Sequence, residues 1–104
     1  MTDYSKLSDE QIAKLVGDIL KLEWANLEDN YNGLCYWKNG DLWVFNPCTN
    51  PSDSYPIIYK NGISIGIYGY GEWGAGTINY QYIDGTNPLR AAMIVFLQMQ
   101  ENKQ

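Results

Sequence analysis

Histidine is absent from these 104 residues. That removes Ser-His and Cys-His nucleophile pairs and the commonest metal ligand. Cysteine is scarce, and Cys35 and Cys48 cannot complete a structural zinc site alone. A disulfide between them is open to the chain. With no signal peptide ahead of them, the reading is two reduced, partly buried thiols in a cytoplasmic protein. Arginine occurs once, at Arg90, and no run of Lys or Arg exists. A net charge of −5 repels a phosphate backbone, which argues against non-specific nucleic-acid binding. No apolar run approaches the ~20 residues that span a bilayer, so no membrane partner is expected.

Aromatic residues are abundant. Nine Tyr, four Trp and two Phe make up 14% of the chain. The rest of the composition is 45% hydrophobic and 18% charged, an ordinary globular balance. Aromatics bury large areas and are also favoured at binding surfaces. The length fits a single domain, residues 1–104, that buries roughly 60–70% of its unfolded surface.

The stretch Asn87 to Met99 organises the rest. Asn87 is placed to cap free N–H groups and Pro88 occupies a first helical position, where a missing N–H costs nothing. No position from Ala91 to Leu97 is polar, which marks a core helix buried on more than one side. A second helix starts at Ser8. Ser8 and Gln11 fit a capping box and Leu7 and Ile12 a hydrophobic staple. Ile12, Leu15, Val16, Ile19 and Leu20 form its apolar stripe, Lys14, Asp18, Lys21 and Glu28 its solvated face, and its end is expected near Trp24 to Asn26. Met1 to Lys6 read as a short tail, and Leu27 to Gly33 as a polar turn.

Leu34–Lys38 and Asp41–Phe45 flank Asn39-Gly40, a strong two-residue hairpin signal that sets Lys38 opposite Asp41 and Tyr36 opposite Trp43. Both faces of that hairpin are apolar, so one is expected on the helices and the other covered or used for binding. Asn46 to Pro56 reads as an ordered proline loop. Ile57–Lys60 and Ile63–Ile67 around Asn61-Gly62 read as a second hairpin, and Thr77–Ile83 as a fifth strand. The expected fold is α+β, an antiparallel sheet of about five strands packed against an N-terminal helix and a buried C-terminal helix.

Two segments carry a resemblance. Phe45-Asn46-Pro47-Cys48-Thr49-Asn50-Pro51-Ser52-Asp53-Ser54-Tyr55-Pro56-Ile57-Ile58 resembles the signature of the NinX-type phage proteins, small accessory proteins of lambda-like phages and related prophages. Asn87 to Leu97 resembles that family's C-terminal segment, and Asp3 to Asp9 is similar to its opening. The two strong segments cover about a quarter of the chain, in the expected order. The resemblance implies a phage or prophage origin and life in the host cytoplasm, and no chemistry.

Gly69-Tyr70-Gly71-Glu72-Trp73-Gly74 has the spacing of a dinucleotide fingerprint, but a strand pattern follows where that fingerprint needs a helix. It reads instead as a bulged hairpin connection with Trp73 folded inward, or as a binding loop displaying Tyr68, Tyr70 and Trp73. Arg90 lies in a first helical turn, where a cation opposes the dipole and needs a compensating partner. Asp53 is the expected one. The functional alternative is an anion site, in which Arg90, Asn87 and the helix N–H groups converge on a phosphate or carboxylate with help from Asn46, Asn50 and Ser52. Asp41, Asp53, Glu72 and Asp84 read as turn or capping residues rather than a catalytic pair. Cys48 reads as an inert thiol.

The functional expectation is a non-enzymatic accessory protein, without cofactor or metal, acting as a monomer or small homo-oligomer. It would bind a host or defence protein, or a small anionic ligand, through Asn46, Asn50, Ser52, Asp53, Tyr55, Tyr68, Tyr70, Trp73, Asn87 and Arg90. The alternatives are a small hydrolase using Asp53 or Glu72, and a structural interaction protein.

Overall fold

A computed structural model describes residues 3–25, 34–68 and 71–101. The expected turn at 27–33, with Glu28 in it, the site residue Tyr70 and the last three residues lie outside these. The chain runs α1 (Asp9–Ile19), β1 (Glu23–Trp24), β2 (Leu34–Lys38), β3 (Asp41–Phe45), α2 (Pro51–Lys60), β4 (Ser64–Tyr68), β5 (Glu72–Gly76), β6 (Gln81–Gly85) and α3 (Pro88–Glu101). The class is α+β, but the strands form two antiparallel sheets of three, ordered β1-β2-β3 and β4-β5-β6, rather than one sheet of about five.

The reason lies between the sheets. The proline loop and the first arm of the expected second hairpin are instead one helix, α2. Asn50 caps it, its Oδ1 accepting from the Ser52 amide at 3.0 Å, and Pro51 opens its first turn, both favoured placements. Pro56 removes the donor that would reach the Ser52 carbonyl, and the helix continues regardless. At its end Gly62 takes φ +64°. The Ile63 amide then reaches back to the Ile58 carbonyl at 3.1 Å and the Gly62 amide to the Tyr59 carbonyl, a Schellman closure. Asn61-Gly62 therefore stops a helix and does not turn a hairpin.

The same closure ends α1 early. Lys21 stands at φ +62°. The Leu22 amide donates to the Gly17 carbonyl at 3.0 Å and the Lys21 amide to the Asp18 carbonyl at 3.1 Å. The helix stops at Ile19, and Glu23–Trp24 becomes an edge strand rather than the helix end expected there. The α1 start is as read: Ser8 and Gln11 form a full capping box. Ile12, Ala13, Val16 and Gly17 are buried, while Leu15, Ile19 and Leu20 stay more than a third exposed. Gly17 has a specific job. A Cβ there would overlap the Trp24 indole, so the indole lies directly against the helix backbone. Its Nε1 donates to Asp18 at 2.8 Å, and Lys14, paired with Asp18 at 2.7 Å, sits 5.1 Å from the ring centroid. The Lys14 and Trp24 hydrogen bonds hold the Asp18 carboxyl below its ordinary pKa, because both favour the charged form. The expected N-terminal tail is also ordered. Tyr4–Lys6 form a 3-10 turn capped by Asp3, with Tyr4 buried.

Helix α3 is the centre of the core. Every residue from Ala91 to Leu97 is at most 3% exposed. It contacts α1, α2 and all three strands of the second sheet, whose Ala75, Ile65 and Tyr82 join the same cluster. The first hairpin has the expected register, with Lys38 opposite Asp41 and Tyr36 opposite Trp43. Its inner face adds Leu34, Tyr36 and Phe45 to the core, Phe45 meeting Trp24 and Tyr36 edge-on. Of the expected fifth strand, Thr77–Tyr80 is a tight turn closed by a 2.7 Å bond from Thr77 N to Tyr80 O, and only the later residues pair. No helix among the described residues is long and apolar enough to cross a membrane.

Candidate functional site

The sequence-predicted site residues fall in three places. The first is the junction at the start of α3. Asn87 caps the helix as expected, its Oδ1 accepting from the Arg90 amide at 3.0 Å, and its Nδ2 donates to the Cys48 carbonyl at 2.8 Å. In the pairing of β5 with β6, Trp73 faces Gly85 and Gly74 faces Ile83, so Asp84 is passed over in a bulge. That extra residue points its carboxylate at α3: Oδ1 accepts from the Asn87 amide at 3.3 Å and Oδ2 lies 3.2 Å from Arg90 Nε. Arg90 Nη1 meets Asp9 at 2.7 Å, and Nη2 donates to the carbonyls of Leu7 at 2.7 Å and Ser5 at 3.3 Å.

The partner of Arg90 is thus not Asp53, and the guanidinium does not head an open anion site. All three of its nitrogens are engaged and its side chain is 14% exposed. A cation is unfavourably placed at a helix N-terminus. Here two carboxylates compensate it, Asp84 and the sequence-distant Asp9. Cys48 lies beside them, fully buried, its Sγ 3.9 Å from the Asp9 carbonyl. Burial, with the Asp9 charge adding to it, pushes its thiol up to about 12. A thiol held protonated is a poor nucleophile, as expected. Both cysteines are free thiols.

The second place is α2 and the loop before it. Asp53 accepts from the Asn46 amide at 2.8 Å, and the Asn46 carbonyl accepts from Asn50 at 2.8 Å and Thr49 at 3.2 Å. Asn46, Asn50 and Asp53 are therefore architectural. Ser52 and Asp53 also border a concavity of about 260 Å³ between α2 and the first sheet, walled by Leu20, Leu22, Tyr36, Phe45 and Ile57, with Lys38 and Lys60 at it. Burial, and secondarily the Asp53 charge, raises the Tyr36 hydroxyl above its ordinary pKa and keeps it a proton donor. Tyr55 is 56% exposed on α2, and Tyr59, one turn later and absent from the sequence-predicted site, is 90% exposed.

The third place is the second sheet. Tyr68 is not displayed. Its ring lies over Gly74 and Gly76, where a Cβ would press on it and on the backbone of β6. Trp73 is not folded inward either; it is 42% exposed, beside Ile67 in the register. The fingerprint-like glycines lead into β5, not into a helix, which leaves no cradle of helix N–H groups for a pyrophosphate.

The outer face of the first hairpin, expected from the sequence to be covered or used for binding, contributed no residue to the predicted site. Cross-strand partners Trp37 and Leu42, with Val44 beside them, are 42–49% exposed on the face turned from the core. Trp43, 52% exposed, stands on β3, an edge strand of its sheet. The alternation of Cys35, Trp37, Leu42 and Val44 was the available signal; what it could not reveal is that Cys35 is buried while Trp37, Leu42 and Val44 stay exposed. No group of three or more metal-ligating side chains exists among the described residues.

A protein-family model described as Bacteriophage P22, NinX matches residues 3–100. No curated protein and no solved structure matches the chain.

Proposed function

Because the chain belongs to the P22 NinX family of phage proteins, we propose that it works as a non-enzymatic accessory protein that binds a host or defence protein in the host cytoplasm. The observation that carries this reading is the apolar outer face of the first hairpin, Trp37, Leu42 and Val44, continuous with the edge strand β3. Exposed apolar patches on small domains mark interaction sites, and Trp is among the residues that dominate binding energy. An edge strand adds main-chain donors and acceptors that a partner strand can pair.

The other readings have less behind them. Phosphate capture by Arg90 would require breaking its contacts with Asp9, Asp84 and two carbonyls. Hydrolysis by Asp53 or Glu72 would need two carboxylates on one cleft, yet Asp53 holds the Asn46 amide and Glu72 sits in the hairpin opposite Tyr68. The test is affinity capture from host lysate with the wild type and Leu42→Lys side by side. The wild type should retain a stoichiometric host or defence protein, and Leu42→Lys should weaken that association about tenfold or more at an unchanged melting temperature. Equal capture by the two, or no stoichiometric partner, would overturn the reading.

A further inference from the structure

The concavity between α2 and the first sheet carries an inference separate from the outer face. Its walls come from three elements: Leu22 follows α1, Tyr36 and Phe45 belong to the hairpin, and Ile57 belongs to α2. Apolar walls converge with a few polar groups, the usual composition of a small-ligand pocket. Its volume is about 260 Å³. That holds roughly nine water-sized groups, enough for one ring with a short substituent and too little for a folded partner.

Charge narrows the ligand further. The chain has twelve acids against seven bases. Arg90 and Lys14 are spent on internal ion pairs, but Lys38 and Lys60 form none among the described residues, and both line this one concavity. Lys38 comes from β2 and Lys60 from the last turn of α2, so two elements deliver the cations. Asp53 is the one acidic residue in the lining, its carboxylate bonded to the Asn46 amide, and Asp41, across from Lys38, is not part of the lining. Two ammonium groups against one carboxylate leave a single positive charge. That balance matches a monoanion and is exceeded by a phosphate dianion.

We propose that this concavity binds a small aromatic carboxylate, its ring against Leu22, Phe45 and Ile57 and its carboxylate between Lys38 and Lys60. Tyr36, which lines the same space, offers its hydroxyl as a further donor.

Amide-resolved NMR titration of the full chain tests this with phenylacetate as probe and phenylacetamide as its neutral counterpart. Phenylacetate should give saturable shifts centred on Leu22, Tyr36, Ile57 and Asn61. The amide should bind about fivefold more weakly, and Lys38→Gln/Lys60→Gln should weaken phenylacetate by a similar factor at an unchanged melting temperature. Four outcomes overturn the proposal: no saturable shift, shifts centred on Trp37 and Leu42, equal binding of acid and amide, or tighter binding at these amides of inorganic phosphate or an acetylated Asp-Phe-Asp peptide.

Discussion

Arg90 and Trp37 are both large side chains at the margin of a regular element, and the chain treats them oppositely. Around Arg90 each nitrogen finds an oxygen supplied by the protein itself, drawn from residues 5, 7, 9 and 84, and the polar group is closed off. Around Trp37 the first sheet leaves Leu42 and Val44 open to solvent. The difference separates two tasks. The start of α3 ties the chain's two ends into one body, so its charges serve stability. On the outer hairpin face Trp37, Leu42 and Val44 remain 42–49% exposed, so they add little to holding that body together and are the groups assigned above to the proposed partner.

Substitutions can break or sharpen the contrast. The largest effect is expected from Arg90→Ala, which leaves Asp84, its side chain only 13% exposed, without its cation. Removing one member of such a pair costs about 3 kcal/mol or more, read as a lower urea midpoint at unchanged slope. Arg90→Lys should recover only part of it, because a single ammonium group cannot reach all four oxygens.

Next comes alkaline pH. The Cys48 thiol is about 12 in the folded chain against an ordinary 9.0. Its protonated state is common to folded and unfolded chains below pH 9, so its stabilising contribution is intact there. Between pH 9 and 12 only the unfolded chain ionises, and stability falls by at most about 1.4 kcal/mol per pH unit. Tyr36, raised in the same direction, steepens the fall above pH 10. Denaturant midpoints measured from pH 8 to 11 should decline for the wild type and decline less for Cys48→Ala.

The smallest effect belongs to Trp37→Ser. The indole is already half in water, so the variant is expected within about 1 kcal/mol of the wild type. If Trp37→Ser destabilised as much as Arg90→Ala, the outer face would be part of the core and the division of tasks would fail.

What could be read from residue order was what local chemistry decides alone. The Ser8–Gln11 box, the Asn87-Pro88 start of α3 and the Asn39-Gly40 turn all formed as their neighbours dictate. The misreading of α2 is instructive because its signal was the same. Asn50-Pro51 repeats the Asn87-Pro88 pair, and Lys60-Asn61-Gly62 is a helix ending, but the β-branched and aromatic run Ile57-Ile58-Tyr59 after Pro56 favoured a strand. Core packing of Ser54 and Ile57 overrode that propensity. The early stop of α1 had no signal at all. Lys21 is left-handed there, a conformation uncommon for a non-glycine residue. The Arg90 partners were hidden for a different reason. Asp9 is brought to it only by the packing of α1 against α3, and Asp84 by a bulge that strand periodicity does not encode.

Gly17 gives the molecule a dependency that neither helix nor strand displays by itself. The indole of Trp24 occupies the room a methyl group would have taken on α1. Positions 17 and 24 therefore form one unit of size: any residue larger than glycine at the first calls for a slimmer one at the second. A natural variant that enlarged one and trimmed the other would keep the hairpin's stance on the helices, whereas enlarging position 17 alone would push the Trp24 strand, and the hairpin paired with it, away from α1.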